Sequence, residues 1–204
     1  RALVIGIGGL RGTYDGGVVA TLCRELGPEY FDAIYASSAG TYTGTLFATD
    51  QPDHLENFWR NCLDGTKLVN FLSPLYGKPI FHLEYLTDLL WREETFLNRE
   101  KLSQTPVTLT YVITEQKTGH PVYICPTVKN VFTILNTSCA MPLLHRPITI
   151  EGTAYIDGGL SDPLPFAKAL ADGHDEVIVV YNKPKGFLVG SRYDTFSHLL
   201  AAGM

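Results

Sequence analysis

"YASSAG", residues 35–40, closes a short apolar run and sets two serines among residues with almost no side chain. A loose turn would accept this composition. So would a strand that stops abruptly and leaves one hydroxyl standing over the start of a helix. That second arrangement is usually written G-x-S-x-G, because the strained turn brings the positions two before and two after the serine against neighbouring backbone. Ala36 and Gly40 meet the demand if Ser38 is the nucleophile and Ser37 the variable position, with Ala36 standing where glycine is usual. On this reading "FDAIYAS" (31–37) is a buried strand and the stretch from Ser38 to about Thr49 is a helix. Its dipole favours an anion near the Ser38 and Ala39 amides.

Upstream, "ALVIGI" (2–7) is an apolar run ending in glycines, and Val18, Leu22 and Leu26 recur at helical spacing after it, giving strand, tight loop, helix. Helical patterns dominate from His54 to Leu90, broken by "LSPLYGKPIF" (72–81), and read as a cap or insertion. Strands resume at 107–116 and 121–126, joined by a turn at "KTGH". The segment 128–139 reads as helical, 154–157 as a brief strand, 165–173 as a helix ending at glycine, and "EVIVVY" (176–181) as a buried parallel strand. Such alternation predicts an α/β fold: a mainly parallel sheet covered by helices on both faces.

Two further glycine-marked stretches carry candidate chemistry. "GIGGLRG" (6–12) invites a dinucleotide reading, but G-x-G-x-x-G would need glycine where Arg11 sits, and no G-K-[ST] follows. A glycine loop can instead aim successive backbone N–H groups at a developing negative charge, and Gly8 and Gly9 allow the close approach this needs. The bland alternative is a tight strand-to-helix turn. "YIDGGLSDPLP" (155–165) places Asp157 at a strand end before Gly158 and Gly159. Asp157 is either a turn-former or the base that activates Ser38.

Bulk properties narrow the class. With 204 residues, 45% of them hydrophobic and 18% charged, the chain suits one folded domain rather than a disordered one. Its net charge of -5 leaves no basic footprint for nucleic acid. Cys23, Cys62, Cys125 and Cys139 are scattered without a C-x-x-C pair, which indicates neither zinc nor a disulfide framework and suits a reducing, cytoplasmic compartment. No stretch offers the ~20 apolar residues of a membrane span. Arg1 directly precedes a strand and Met204 ends an apolar segment, so both ends read as trimmed and a lost signal peptide stays open.

Taken together, the order GG-x-RG, serine elbow, DGG resembles the patatin-like phospholipases, serine lipid acyl hydrolases, along nearly the whole chain. Gly8, Gly9, Arg11 and Gly12 match that family's oxyanion motif, with Ile7 in place of its first glycine. Ser38 between Ala36 and Gly40 matches its nucleophile, and Asp157-Gly158-Gly159 its catalytic D-G-[GA]. "TSCAMP" (137–142) matches the S-x-A-x-P stretch before the acid, and details of the tail resemble the smaller bacterial members.

The resemblance implies a single three-layer αβα domain over 1–204 with a helical insertion around 54–100. It implies a Ser38–Asp157 dyad without histidine and an oxyanion hole of the Gly8, Gly9 and Leu10 amides. A lipid or fatty-acyl ester substrate, peripheral membrane contact, and neither metal nor organic cofactor go with it. Two rivals stand beside it. One is a Ser-Asp-His triad using His174 or His198, with His174 poorly placed because it precedes its strand. The other is a catalytically silent lipid-binding or interaction module on the same fold.

Overall fold

The computed structural model describes residues 1–182. In chain order the elements are β1 (Ala2–Ile5), α1 (Gly12–Leu26), β2 (Ala33–Ser37), α2 (Gly40–Ala48), α3 (Pro52–Asn57), α4 (Gly65–Leu68), α5 (Leu83–Leu89) and α6 (Arg99–Gln104). They continue with β3 (Thr108–Glu115), β4 (Pro121–Ile124), α7 (Val131–Ser138), β5 (Ile148–Ile150), β6 (Thr153–Asp157), α8 (Phe166–Ala171) and β7 (Val177–Val180). His198 lies outside the described residues.

Strand side chains alternate between the two faces of a sheet, and β1 shows what each face meets. Leu3 and Ile5 join Ile34 and Ala36 of β2 in a large core with α1, α2 and α7, while Ala2 and Val4 join Ala33, Tyr35 and Ala169 of α8. The sheet is thus sandwiched between helices, as the alternating pattern predicted. Its centre, β7-β1-β2-β3, is parallel. β4, β6 and β5 complete a seven-stranded mixed sheet by antiparallel pairing.

Helix α2 is buried at all nine positions. A helix enclosed on every side needs close approaches and satisfied polar groups. Gly40 supplies the first, because a β-carbon there would lie 2.8 Å from the carbonyl oxygens of Ile5 and Gly6. Threonines supply the second: Thr45 Oγ1 donates to Thr41 O (2.8 Å), and Thr43 Oγ1 accepts from Trp59 Nε1 (2.9 Å).

Residues 52–104 form short helices, with a π-helical turn at Phe58–Cys62. Their buried side chains, among them Leu55, Phe58, Leu83 and Leu89, belong to the same core as the sheet. The break expected at 72–81 is a 3₁₀ turn at Ser73–Tyr76 within an excursion closed by a Val69–Phe81 bridge.

Candidate active site

Ser38 follows the last residue of β2 and has φ +52, a left-handed conformation that residues with a β-carbon rarely adopt. The turn is held from the helix side, where Thr41 donates to Ser38 O through both its N–H (2.9 Å) and its Oγ1 (2.7 Å). The required smallness two residues on is real, since any side chain at Gly40 meets the backbone of β1. Two residues before, Ala36 is fully buried in the strand.

Asp157 reaches this turn by an end-to-end arrangement of strands. Tyr111 and Val112 of β3 pair with β2 on one side and β4 on the other; Ile113 and Thr114 pair with β4 and β6. β6 therefore lies on the same edge of β3 as β2, pointing the opposite way. The two strands terminate against each other, Ser37 opposite Val112 and Asp157 opposite Ile113. Ser38 Oγ donates to Asp157 Oδ2 at 2.9 Å, and Asp157 Oδ1 accepts the Gly159 N–H at 2.7 Å. Gly158 is demanded by the same junction, because a β-carbon there would fall inside the van der Waals shell of Val112 O.

Both residues are buried, Ser38 with 7% of its surface exposed and Asp157 with 4%. Desolvation raises the Asp157 carboxyl to about 6, against the pull of the Gly159 N–H and the Ser38 hydroxyl toward lower values. A carboxylate near neutrality is a better proton acceptor than an ordinary one. The Cys139 sulfur lies 3.9 Å from Ser38 Oγ, and burial, with the neighbouring Asp157 charge, pushes its thiol well above the usual range. That shift favours the protonated thiol, which is a poor nucleophile.

The stretch 137–142 turns out to fasten the two ends together. Ser138 Oγ accepts the Ser38 N–H (2.8 Å) and donates to Val112 O (2.7 Å), and Ala140 O accepts the Asp157 N–H (2.9 Å). The Ser38 amide is therefore engaged, contrary to the expectation that it faces an anion at the helix start. Sequence reasoning marked Ser138 and Ala140 only as motif matches; the partners they hold lie far along the chain.

The glycine loop flanks the same place. Gly8, Gly9, Leu10 and Arg11 line one cavity with Ser38, Asp157 and Gly159. Ile7 N–H donates to Pro163 O and Arg11 N–H to Gly8 O. Gly8, Gly9 and Leu10 stand at the start of a 3₁₀ helix (Gly9–Arg11), whose first amides have no acceptor within it. A β-carbon on Gly8 would meet Gly12 N at 2.8 Å, and Gly9 has φ +51. Ile7 has its own counterpart: its Cγ2 fills space 2.5 Å from where a β-carbon on Gly159 would stand. Gly12 and Gly16 serve another purpose, making room for the Trp59 ring against α1. Trp59 was not singled out from other aromatics in the sequence, and no local pattern distinguishes it.

The cavity, ≈190 Å³, extends from Ser38 between apolar side chains that include Tyr42, Phe58, Trp59, Phe81 and Leu86. Histidine plays no part in the bonds of Ser38 or Asp157 among the described residues. His174 packs edge-on against Tyr35 at the amino end of β7, whereas Ser38 follows the carboxyl end of parallel β2. Among the described residues no group of three or more His, Cys, Asp or Glu is arranged to hold a metal ion.

Comparison with known proteins agrees with this architecture. The chain is 25% identical over 187 residues to the uncharacterized protein YjjU of Escherichia coli (strain K12), covering 90% of this chain and 52% of that protein. It is 28% identical over 180 residues to the uncharacterized NTE family protein Rv1063c of Mycobacterium tuberculosis (strain ATCC 25618 / H37Rv), covering 88% and 48%. The chain thus spans about half the length of the curated relatives it matches. In fold it is similar to VipD from Legionella pneumophila, with TM-score 0.62 and 14% identity over 98% of this chain and 52% of that one. The family model described as Patatin-like phospholipase matches residues 3–170, and the chain belongs to that family.

Proposed function

We propose that the protein is a serine hydrolase of lipid carboxylic esters, of the phospholipase A, lysophospholipase or acylglycerol esterase type. The observation that carries this reading is the 2.9 Å bond from a strained, buried Ser38 to Asp157 in the wall of an apolar cavity. Asp157 takes the Ser38 proton as Oγ attacks the ester carbonyl carbon. The electron pair moves to the carbonyl oxygen, which the Gly8, Gly9 and Leu10 amides stabilise. Collapse expels the alcohol, which takes the proton held by Asp157 and leaves an acyl-serine. Asp157 then draws a proton from water, which attacks the acyl carbon and frees the fatty acid, and Ser38 recovers its proton.

A carboxylate is a weak base for an alcohol, so proximity, desolvation and oxyanion donors must supply most of the rate. The apolar cavity suits an acyl chain, and a substrate of this class favours peripheral contact with lipid. The test is hydrolysis of p-nitrophenyl butyrate and of phospholipid by the wild-type, Ser38→Ala and Ser37→Ala proteins. We expect Ser38→Ala to fold and lose activity by about 10³-fold or more, and Ser37→Ala to keep most of it. A folded wild-type protein without hydrolysis of any such ester would establish the catalytically silent module instead.

A further inference from the structure

Several large apolar side chains are held in water beside the cavity. Between Leu68 and Phe81, both on the cavity wall, the chain makes an excursion closed by bonds from Asn70 N–H to Ile80 O (2.9 Å) and His82 N–H to Leu68 O (2.8 Å). At its tip Phe71, Leu72, Leu75 and Tyr76 are 74, 64, 78 and 79% exposed. The tip has a built interior: Ser73 is buried and bonded to His82 Nε2 (2.7 Å), and Lys78 N–H donates to Ser73 O (3.1 Å). It is folded with a serine inside and its apolar side chains outside.

The exposed surface continues toward the cavity mouth. Phe81 N–H donates to Leu144 O (2.8 Å), and adjoining Leu143 is 76% exposed at φ +68, a conformation that favours glycine. Met141 and Leu10 both line the cavity and are themselves exposed. Apolar patches of this kind, connected and rimmed by polar groups, mark interaction surfaces.

The chain segments that supply the patch carry cations and no acid, although the chain's net charge is -5. Residues 65–83 contain Lys67 and Lys78 and no acid; residues 141–150, which hold Met141 and Leu143, contain Arg146 and no acid. Lys78 and Arg146 are exposed and enter no ion pair among the described residues. Lys67 sits 3.9 Å from Asp64, and Glu84 lies just beyond the excursion.

We propose that this surface docks the protein on an anionic lipid bilayer. Phe71, Leu72, Leu75, Tyr76 and Leu143 enter the headgroup region, and Lys78 and Arg146 meet lipid phosphates. The purpose of docking rests on the ester-hydrolase reading, since it sets the cavity mouth against the bilayer and lets an acyl ester enter without crossing water. Its test does not depend on turnover.

The full-length Ser38→Ala protein, which leaves lipid intact, is floated with vesicles of phosphatidylcholine and of phosphatidylcholine mixed with phosphatidylglycerol. It should float with the mixed vesicles and less with phosphatidylcholine alone. Adding Leu75→Ser and Tyr76→Ser should weaken binding about tenfold or more, and adding Lys78→Glu should weaken it on the mixed vesicles only. With Ser38 restored, all these variants should keep the wild-type melting temperature and rate on a soluble short-chain ester.

Absence of flotation, or flotation unaffected by Leu75→Ser and Tyr76→Ser, would overturn the proposal. So would a dimer in sedimentation velocity that those substitutions dissolve, because a second copy would then cover the patch. Vesicle binding without hydrolysis would overturn the ester-hydrolase reading alone, and hydrolysis of soluble esters without vesicle binding the docking alone.

Discussion

At the residue scale the account turns on Asp157, whose carboxyl burial raises from 3.8 to about 6. The anion is the form that burial disfavours and the form a base requires. The rate on a soluble ester should therefore rise with pH through about 6 and fall away below it, as kcat/KM measured from pH 4 to 8 would reveal. Stability has the opposite sign. The penalty for the buried anion is absent below the unfolded value near 3.8 and complete above about 6. Asp157→Asn removes that penalty while an amide still has groups to offer Ser38 Oγ and the Gly159 N–H. It should abolish turnover and stabilise the fold at pH 8 by up to about 3 kcal/mol, with little change in melting temperature at pH 4. A variant less stable than wild type at pH 8 would mean that the charged carboxylate holds the site together.

At the scale of elements, the site is a meeting of strand ends, and the glycines there differ in purpose. Gly158→Ala would force a β-carbon into Val112 O and should cost about 3 kcal/mol or more in urea unfolding. Gly17→Ala, at an exposed position of α1 with nothing near the new carbon, should stabilise by about 0.5–1 kcal/mol.

The elements themselves were largely legible: apolar runs marked β1, β2 and β7, and small residues marked the elbow and α2, but β7, expected to be buried, is parallel at the edge of the described sheet with Ile178 and Val179 exposed. The strand β5 was missed although its signal was present. "ITIEGTAYID" (148–157) alternates about Glu151-Gly152, whose φ values of +48 and +83 make the tight hairpin turn. The head-on approach of β2 and β6 was not legible, because it depends on which edge of β3 each strand takes. The clasp through Ser138 was hidden for the same reason: its partners, Ser38 and Val112, are 100 and 26 residues away.

At the scale of the molecule, residues 52–104 close the cavity yet share the main core, which makes their stability inseparable from that of the sheet. Both tryptophans, Trp59 and Trp91, lie in this segment. Unfolding in urea followed by tryptophan fluorescence and by far-ultraviolet circular dichroism should give one coincident transition. An earlier fluorescence transition would show that the segment is a separately folding cap. No described helix is long and apolar enough to cross a membrane. In the docking proposed above, the exposed tip at Phe71–Tyr76 and the exposed cavity-lining residues Leu10 and Met141 would set lipid contact beside the proposed chemistry.

The central claim, that Ser38 is a nucleophile activated by Asp157, is met most directly by covalent labelling with a fluorophosphonate followed by peptide mapping. The account predicts a single stoichiometric adduct on Ser38 in the wild-type protein, slowed by about 10²-fold or more in Asp157→Asn and absent in Ser38→Ala. An adduct on Ser37 or elsewhere, or labelling of Ser38 at an undiminished rate in Asp157→Asn, would contradict it.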